Sequence, residues 1–364
     1  MRSSRPSWTP WTSKETGMGV YTPEGWLDIP AILRMGYPFT FVTGGRGTGK
    51  TFGALRYARE RSSPGHRFML LRRTQVQLEL IGKQEFSPFK AVDAATGTLT
   101  CSAPLSKYTV GFYNGQETDD GRLVPSGPLL GYGAALSVFS NLRGFGGGEE
   151  CDLVIFDEFI PQAQERPIKD EAGALWNCME TLARNRELSG KEPVQLLCLA
   201  NANTLGNPIF LDLGLVTTAE RMRASGREIW TDDKRGILLV ILQQSPISEA
   251  KRETALYKLQ QGSDFARMAL DNDFSYEERS IIGRADLKDL VPVAAIGEIC
   301  IYKRKSGGYY ISSHRSGSPD SYGTGPGERA RFKRKYLWLW RAYMQRKIMF
   351  EQYVDEVLFN KYMA

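Results

Sequence analysis

Histidine is almost missing from this 364-residue sequence: His66 and His314 are the two it has. A histidine-rich metal site is therefore excluded, and a serine-histidine-aspartate triad would have to use one of two imidazoles in ordinary surroundings. The five cysteines, Cys101, Cys151, Cys178, Cys198 and Cys300, lie far apart with no CxxC pair, which excludes zinc-ribbon spacing and an even disulfide framework. Reduced, buried thiols are expected, and any metal should be held by oxygens. No window approaches the eighteen or so uninterrupted apolar residues of a membrane span, and residues 1–20 have no apolar stretch of the signal-peptide kind, so no membrane association and an intracellular location are expected.

Hydrophobic residues make up 41% and charged residues 24%, the balance of a folded chain with a sizeable core. The length is that of about two domains. Lys and Arg number 47 against 41 acidic residues, a net charge of +6, which leans toward an anionic partner without identifying one.

Residues 1–36 show no sustained period and read as an N-terminal arm. Ordered structure is expected from Tyr37, where Phe39, Phe41 and Val42 form an extended run, followed by glycines and then by Phe52, Leu55 and Tyr57 among helix formers: strand, tight loop, helix. A second strand is expected at Phe68 to Leu71. The polar, Gly-rich stretch 76–133 reads as an insertion, with a hairpin near Tyr108 to Tyr113 and a mobile loop from Glu117 to Pro128. Leu153 to Phe156 and Val194 to Leu199 are short apolar runs suited to a parallel sheet, with a helical stretch from Ala172 to Arg186 between them. After a strand at Ile237 to Leu242, a helical linker is expected over 245–274, and then a second domain over 275–364. That domain should hold a hairpin around Lys305-Ser306-Gly307 and a helical segment from Glu328 to Ala364.

Gly44-Gly45-Arg46-Gly47-Thr48-Gly49-Lys50-Thr51 fits the phosphate-loop pattern GxxxxGK[ST] and sits between the expected strand and helix. Glycines let backbone N–H groups converge on phosphate oxygens, Lys50 can reach the β- and γ-phosphates, and Thr51 can ligate Mg²⁺. Leu153-Val154-Ile155-Phe156-Asp157-Glu158 is an apolar strand ending in two acids, where ligands collect in α/β sheets. Asp157 suits Mg²⁺ through its water shell and Glu158 suits activation of water, a pair that points to hydrolysis.

Three further readings stay open on the residues alone. Arg184, in Ala183-Arg184-Asn185-Arg186-Glu187, either acts as an arginine finger or complements a helix dipole. Asn201, after Leu199-Ala200, either senses the γ-phosphate or makes an Asx turn. Lys303-Arg304-Lys305 and the run Arg329, Arg331, Lys333, Arg334 and Lys335, with Tyr336, Trp338 and Trp340, either neutralise nucleic-acid phosphates or form a solvated helix face with aromatics packed inward.

Taken in order, FVTGGRGTGKT, FMLLRR, LVIFDEFIPQ, ETLARNRE, LCLANANTLGNP and ALDNDF resemble the DNA packaging ATPases of small tailed bacteriophages of the phi-twenty-nine kind, over about nine-tenths of the chain. The resemblance implies an α/β fold: a P-loop ATPase domain of the ASCE type with a largely parallel central sheet (37–244), then the linker and a small RNase H-like domain (275–364) that has lost nuclease function. It implies ATP and Mg²⁺ as cofactors and a role as an ATP-hydrolysing motor that translocates double-stranded viral DNA into the procapsid. It also implies a homo-oligomeric ring, a pentamer, working in the host cytoplasm while docked on the procapsid portal, with a packaging RNA as a further partner. By the same resemblance Glu158 is catalytic, Arg184 a finger acting on a neighbouring subunit and Asn201 a polar sensor. Arg72 and Arg73 match a basic pair near the nucleotide or the subunit boundary. Asp286, Asp289, Glu298 and Asp320 form no convincing two-metal nuclease motif. The alternatives are a terminase-like motor with an active nuclease, a P-loop kinase, and a nucleotide-binding assembly protein without translocation.

Overall fold

The computed structural model describes residues 19–142, 145–161, 165, 168–201, 204–242, 246–263, 266, 270, 281–317 and 319–363. The ALDNDF block, apart from Leu270, lies outside the described residues. The chain divides into two compact units: residues 1–203 with 221–274, and residues 204–220 with 275–364. The second unit thus takes a segment from the middle of the chain that a linear division after residue 244 leaves with the first. Among the described residues no helix is long and apolar enough to cross a membrane.

The first unit is built on a nine-stranded sheet. Its strands are β1 (Phe39–Gly44), β2 (Arg67–Arg72), β3 (Thr100–Ser106), β4 (Thr109–Glu117), β5 (Leu123–Ala135), β6 (Cys151–Asp157), β7 (Gln195–Asn201), β8 (Ile229–Asp232) and β9 (Ile237–Ile241), in the order β3-β4-β5-β2-β6-β7-β1-β9-β8. The six strands from β5 to β9 across the middle are mutually parallel. Both faces of a parallel sheet are covered, which is why β6 and β9 are buried at every position and carry unbroken apolar runs. The helices are α1 (Ile29–Arg34), α2 (Lys50–Arg61), α3 (Gln75–Ile81), α4 (Lys90–Thr96) and α5 (Glu171–Ala183). Beyond β9 come α8 (Pro246–Arg252) and α9 (Ala255–Leu259); of the two helices after β7, α6 (Pro208–Asp212) belongs to the second unit and α7 (Val216–Ser225) runs from the second unit's segment into the first's.

Two expectations fail here, each for a physical reason. The lead-in is not irregular from residue 19 onward: Val20, Leu27, Ile29 and Ile32 belong to the same buried cluster as Val42, Leu55 and Leu199. Asp28 caps α1 by accepting from the Ala31 N–H at 2.8 Å, with Pro30 in the first turn, a short start signal that a search for long periods passes over. The stretch Glu117 to Pro128 is not a loop but the far half of the β4–β5 hairpin, with Glu117 opposite Leu123 and Gly115 opposite Pro125. Its polarity reflects an exposed hairpin end. Closer in, Phe112 of β4 packs on Phe89 at 5.1 Å and on Phe68 of β2 at 5.8 Å between ring centroids, so the insertion widens the sheet and shares its core.

The second unit has a five-stranded sheet in the order β13-β10-β11-β12-β14: β10 (Leu290–Ile296), β11 (Ile299–Arg304), β12 (Tyr309–Ser312), β13 (Asp320–Tyr322) and β14 (Ile348–Phe350). β10, β11 and β12 form an antiparallel meander, and β13 and β14 add parallel strands at its edges. The turn at Lys305–Gly307 is the expected hairpin. The segment from Glu328 is not one helix: α10 (Pro326–Met344) and α11 (Tyr353–Met363) flank β14. Phe332, Tyr336 and Leu339 of α10 and Leu358 and Phe359 of α11 are buried with Ile301, Ile311 and Phe350.

Candidate functional site

The phosphate loop forms where β1 ends and α2 begins. Gly47 and Gly49 adopt φ of +66° and +88°, a left-handed backbone that glycine takes without the strain a Cβ brings. Gly49 is the residue before α2, so the loop delivers its N–H groups at the helix start. Lys50 is buried, and its Nζ donates to Gly45 O at 2.6 Å, to Gly44 O at 3.2 Å and to Thr48 Oγ1 at 3.2 Å. Burial pushes the Lys50 ammonium down to about 7; Asp157 opposes the shift, and Lys251 and Arg46 add to it.

Strand register brings the acids and the amide to the same edge. Gly44 lies opposite Asn201, and Asp157 lies opposite Leu199. Thr51 Oγ1 donates to Asp157 Oδ1 at 3.0 Å and Oδ2 at 3.2 Å, and Arg72 Nη1 donates to Asp157 Oδ2 at 2.9 Å. Glu158, one residue on, has φ +61°, an unusual backbone for a residue with a side chain and of the type that functional sites hold under strain. Burial raises the Glu158 pKa, Asp157 raises it further, and Arg72 and Arg46 pull it back. The Nε atoms of Arg46 and Arg72 are buried with no hydrogen-bond partner among the described residues. Buried donors of this kind, beside hard oxygen donors from Thr51 and Asp157, fit a phosphate group with Mg²⁺.

The residues of the predicted site thus separate. Gly44 to Thr51, Arg72, Asp157, Glu158 and Asn201 gather at one sheet edge. Arg73 does not join them. Its guanidinium is fully buried and bound to Glu171 at 2.8 Å through Nε and 2.8 Å through Nη2, and to Glu165 at 2.7 Å. Arg184 is also elsewhere. It follows α5, which runs from beyond the end of β6 back to the approach to β7, and it binds Glu149 at 2.9 Å and Phe145 O at 3.3 Å, residues that precede β6. Arg184 therefore stands at the sheet edge opposite the phosphate loop and does not reach Lys50 of its own chain.

Three features escaped sequence reading. A mostly apolar cavity of about 710 Å³ adjoins the phosphate loop, lined by Trp26, Leu27, Gly49, Phe52 and Tyr57. Its size is that of a small-molecule site. The segment forming one wall is tied to the loop by the Leu27 N–H donating to Thr48 O at 3.0 Å. Lys251 of α8 donates to the Arg46 carbonyl. Glu149 holds Arg184 in the single chain. Phe52 and Tyr57, which follow the loop in α2, were the available signal, but Trp26 comes to it from a segment with no fixed spacing.

In the second unit the basic run of α10 faces outward while two of its aromatics pack in: Arg331, Arg334 and Lys335 are exposed and Phe332 and Tyr336 are buried, whereas Trp338 stays exposed as it lies on Tyr309 at 4.7 Å between centroids. The four carboxylates singled out there do not share one set of partners. Asp289 accepts from the Ser306 N–H at 2.8 Å, Asp320 pairs with Lys335 at 2.5 Å, and Asp286 accepts from the Lys288 N–H at 3.0 Å.

The family described as Podovirus DNA encapsidation protein (Gp16) matches residues 119–305, half of the chain. The DNA packaging proteins of Bacillus phages PZA and phi29 are each 28% identical over 262 residues, covering 70% of this chain and 65% of theirs. The match therefore spans just under two thirds of the length of these relatives. Among solved structures, the Phi-28 gp11 DNA packaging motor superposes with a TM-score of 0.64 at 19% identity, over 94% of this chain and 98% of that one. The bacteriophage Phi-29 viral genome packaging motor assembly gives 0.61 at 21% identity, over 93% of this chain and 100% of that one. At such identities the two structures establish a shared fold.

Proposed function

As a member of the Podovirus DNA encapsidation protein (Gp16) family, this chain is one that we propose to be an ATP-hydrolysing motor, driving double-stranded viral DNA into a procapsid. The observation that carries the reading is the meeting of Thr51 and Asp157 beside Lys50 and Glu158 at one sheet edge. A single strand, β7, separates the phosphate-loop strand β1 from the acid strand β6, the arrangement expected of an ASCE-type ATPase.

In this mechanism the loop amides and Lys50 bind the β- and γ-phosphates, and the base occupies the cavity between Trp26 and Phe52. Thr51 and Asp157 would hold Mg²⁺, which would supply neutralisation of charge on the phosphate oxygens. Glu158 orients the attacking water and accepts its proton on the carboxylate; a pKa raised by burial makes it a better acceptor than an ordinary glutamate. Arg72 pairs with Asp157 and holds its carboxylate aimed at Thr51. Asn201, level with Gly44, positions water or the terminal phosphate.

Arg184 serves the neighbouring subunit's site, since its own lies at the far edge of the sheet. A ring, by family a pentamer, follows from that division of labour, with the procapsid portal and a packaging RNA as partners in the host cytoplasm. The smaller unit, an antiparallel meander flanked by parallel strands, is read as a nuclease-inactive RNase H-like domain whose exposed Arg331, Arg334 and Lys335 meet DNA phosphates without regard to sequence. The test is ATP hydrolysis and packaging of DNA into purified procapsids by wild type and Glu158→Gln. Hydrolysis that is indifferent to DNA, or DNA uptake that persists in Glu158→Gln, contradicts the reading.

A further inference from the structure

Lys251 is a basic residue at the phosphate loop that lies outside the GxxxxGK[ST] pattern. It sits in the last turn of α8, two hundred positions after the loop, and its Nζ donates to the backbone carbonyl of Arg46. The contact is close enough that a Cβ on Gly47 would occupy the space the ammonium holds. Gly47 is thus required twice, for its left-handed backbone and for room beside Lys251.

The ammonium is half-buried, and its partner in this arrangement is a neutral carbonyl. Among the described residues it makes no salt bridge with a carboxylate. Two more cations belong to the same loop: Lys251 Nζ rests on the Arg46 carbonyl and Lys50 Nζ on the Gly45 carbonyl next to it, and Lys251 and Arg46 both act electrostatically on the Lys50 ammonium. Converging like charges in a partly dehydrated site repel, and an anion arriving between them removes that cost. Lys50 marks where the anion goes, because the lysine of such a loop reaches the β- and γ-phosphates.

We propose that Lys251 is a nucleotide-sensing residue: on binding of a nucleoside triphosphate its ammonium leaves the Arg46 carbonyl for a terminal phosphate oxygen, and α8 is held against the loop by that ion pair. The proposal rests on the phosphate-loop reading above and adds to it a residue from the segment that follows the central sheet. A diphosphate offers less charge at this position, so Lys251 discriminates triphosphate from diphosphate. Because α8 is the first described element after β9, nucleotide state is transmitted from the loop into the chain leaving the sheet. The role is one of positioning and sensing, and no bond is made or broken through Lys251.

The test uses the full chain with Mg²⁺, titrated calorimetrically with the non-hydrolysable analogue AMP-PNP and with ADP. Lys251→Met should weaken AMP-PNP binding roughly tenfold, the loss of one charge-assisted contact worth about 1.4 kcal/mol, while ADP affinity changes by less than about threefold. Lys251→Arg should retain most of the discrimination. Hydrogen exchange over 246–252 should slow when AMP-PNP is added to wild type and stay unchanged in Lys251→Met. Melting temperatures within a few degrees of wild type identify the variants as folded, and Lys251→Gln is the substitute should the methionine variant fail. Lys50→Ala separates the two levels of the argument. If Lys50→Ala abolishes binding while Lys251→Met leaves the AMP-PNP to ADP ratio unaltered, the sensing role is overturned and the phosphate loop stands. If Lys50→Ala binds AMP-PNP as wild type does, both are overturned.

Discussion

The Thr51 hydroxyl donates to both oxygens of the Asp157 carboxylate, at 3.0 and 3.2 Å, across 106 positions of sequence. One residue ends the phosphate loop and the other ends the acid strand. Their contact is what makes two separate motifs a single site. Asp157→Ala should therefore abolish Mg²⁺-dependent hydrolysis, by about a hundredfold or more, and Thr51→Ala should lower the apparent Mg²⁺ affinity. Hydrolysis measured across a Mg²⁺ titration checks both.

Glu158→Gln keeps the shape of the side chain and removes its basicity. Turnover should fall by roughly 10² to 10⁴ with nucleotide affinity nearly unchanged, the pattern of a lost general base. Parallel measurement of binding and of single-turnover hydrolysis separates the two quantities, and a matching loss of affinity would argue against a purely chemical role.

The fully buried Arg73 makes a two-pronged ion pair with Glu171 at the start of α5, joining the end of β2 to the helix that leads to Arg184. Removing Glu171 leaves the buried Arg73 with Glu165 alone, so Glu171→Ala should cost about 1.5–3 kcal/mol of stability. Urea unfolding provides the figure. A cost below about 1 kcal/mol would mean that Glu165 or water takes over the freed guanidinium donors.

In the second unit His314 Nδ1 meets Glu351 Oε2 at 2.8 Å, a contact that raises the histidine pKa; against the upward pull of burial, the Ser312 hydroxyl and then His314 hold the glutamate's below its ordinary value. A raised histidine stabilises the fold fully below its unfolded value of 6.5, and the benefit fades as pH climbs through the folded value. A lowered glutamate stabilises it above its ordinary 4.5, with loss as pH falls through the folded value. The advantage of wild type over His314→Gln in melting temperature should therefore be greatest between these two values and shrink as pH rises through the folded histidine value. A difference that grows toward high pH contradicts the pairing.

Much of the site was legible because each part is local: a loop pattern between strand and helix, an apolar run ending in two acids, a strand ending at Asn201. Their assembly follows from parallel strands meeting at one edge. The Arg72–Arg73 pair was not separable in sequence, since neighbouring residues at a strand end point opposite ways, one to Asp157 and the other to Glu171. Lys251 and Trp26 were invisible for a different reason: they come to the loop by tertiary packing, without a fixed spacing from it. The insertion misled because glycine and polar residues mark both loops and exposed hairpins, and Phe89 and Phe112, which decide between them, are 23 positions apart.

Subunits that complete one another's active sites should regain hydrolysis when two inactive chains are mixed. Glu158→Ala and Arg184→Ala are combined at varied ratio and total concentration, with and without double-stranded DNA, and ATP hydrolysis is followed. Each variant alone should be inactive, and the mixture should recover part of the wild-type rate, rising with concentration and with DNA, because an intact Glu158 then meets an intact Arg184 across a subunit boundary. An Arg184→Ala chain that hydrolyses ATP at the wild-type rate, or a mixture that recovers nothing at any ratio, would contradict the account.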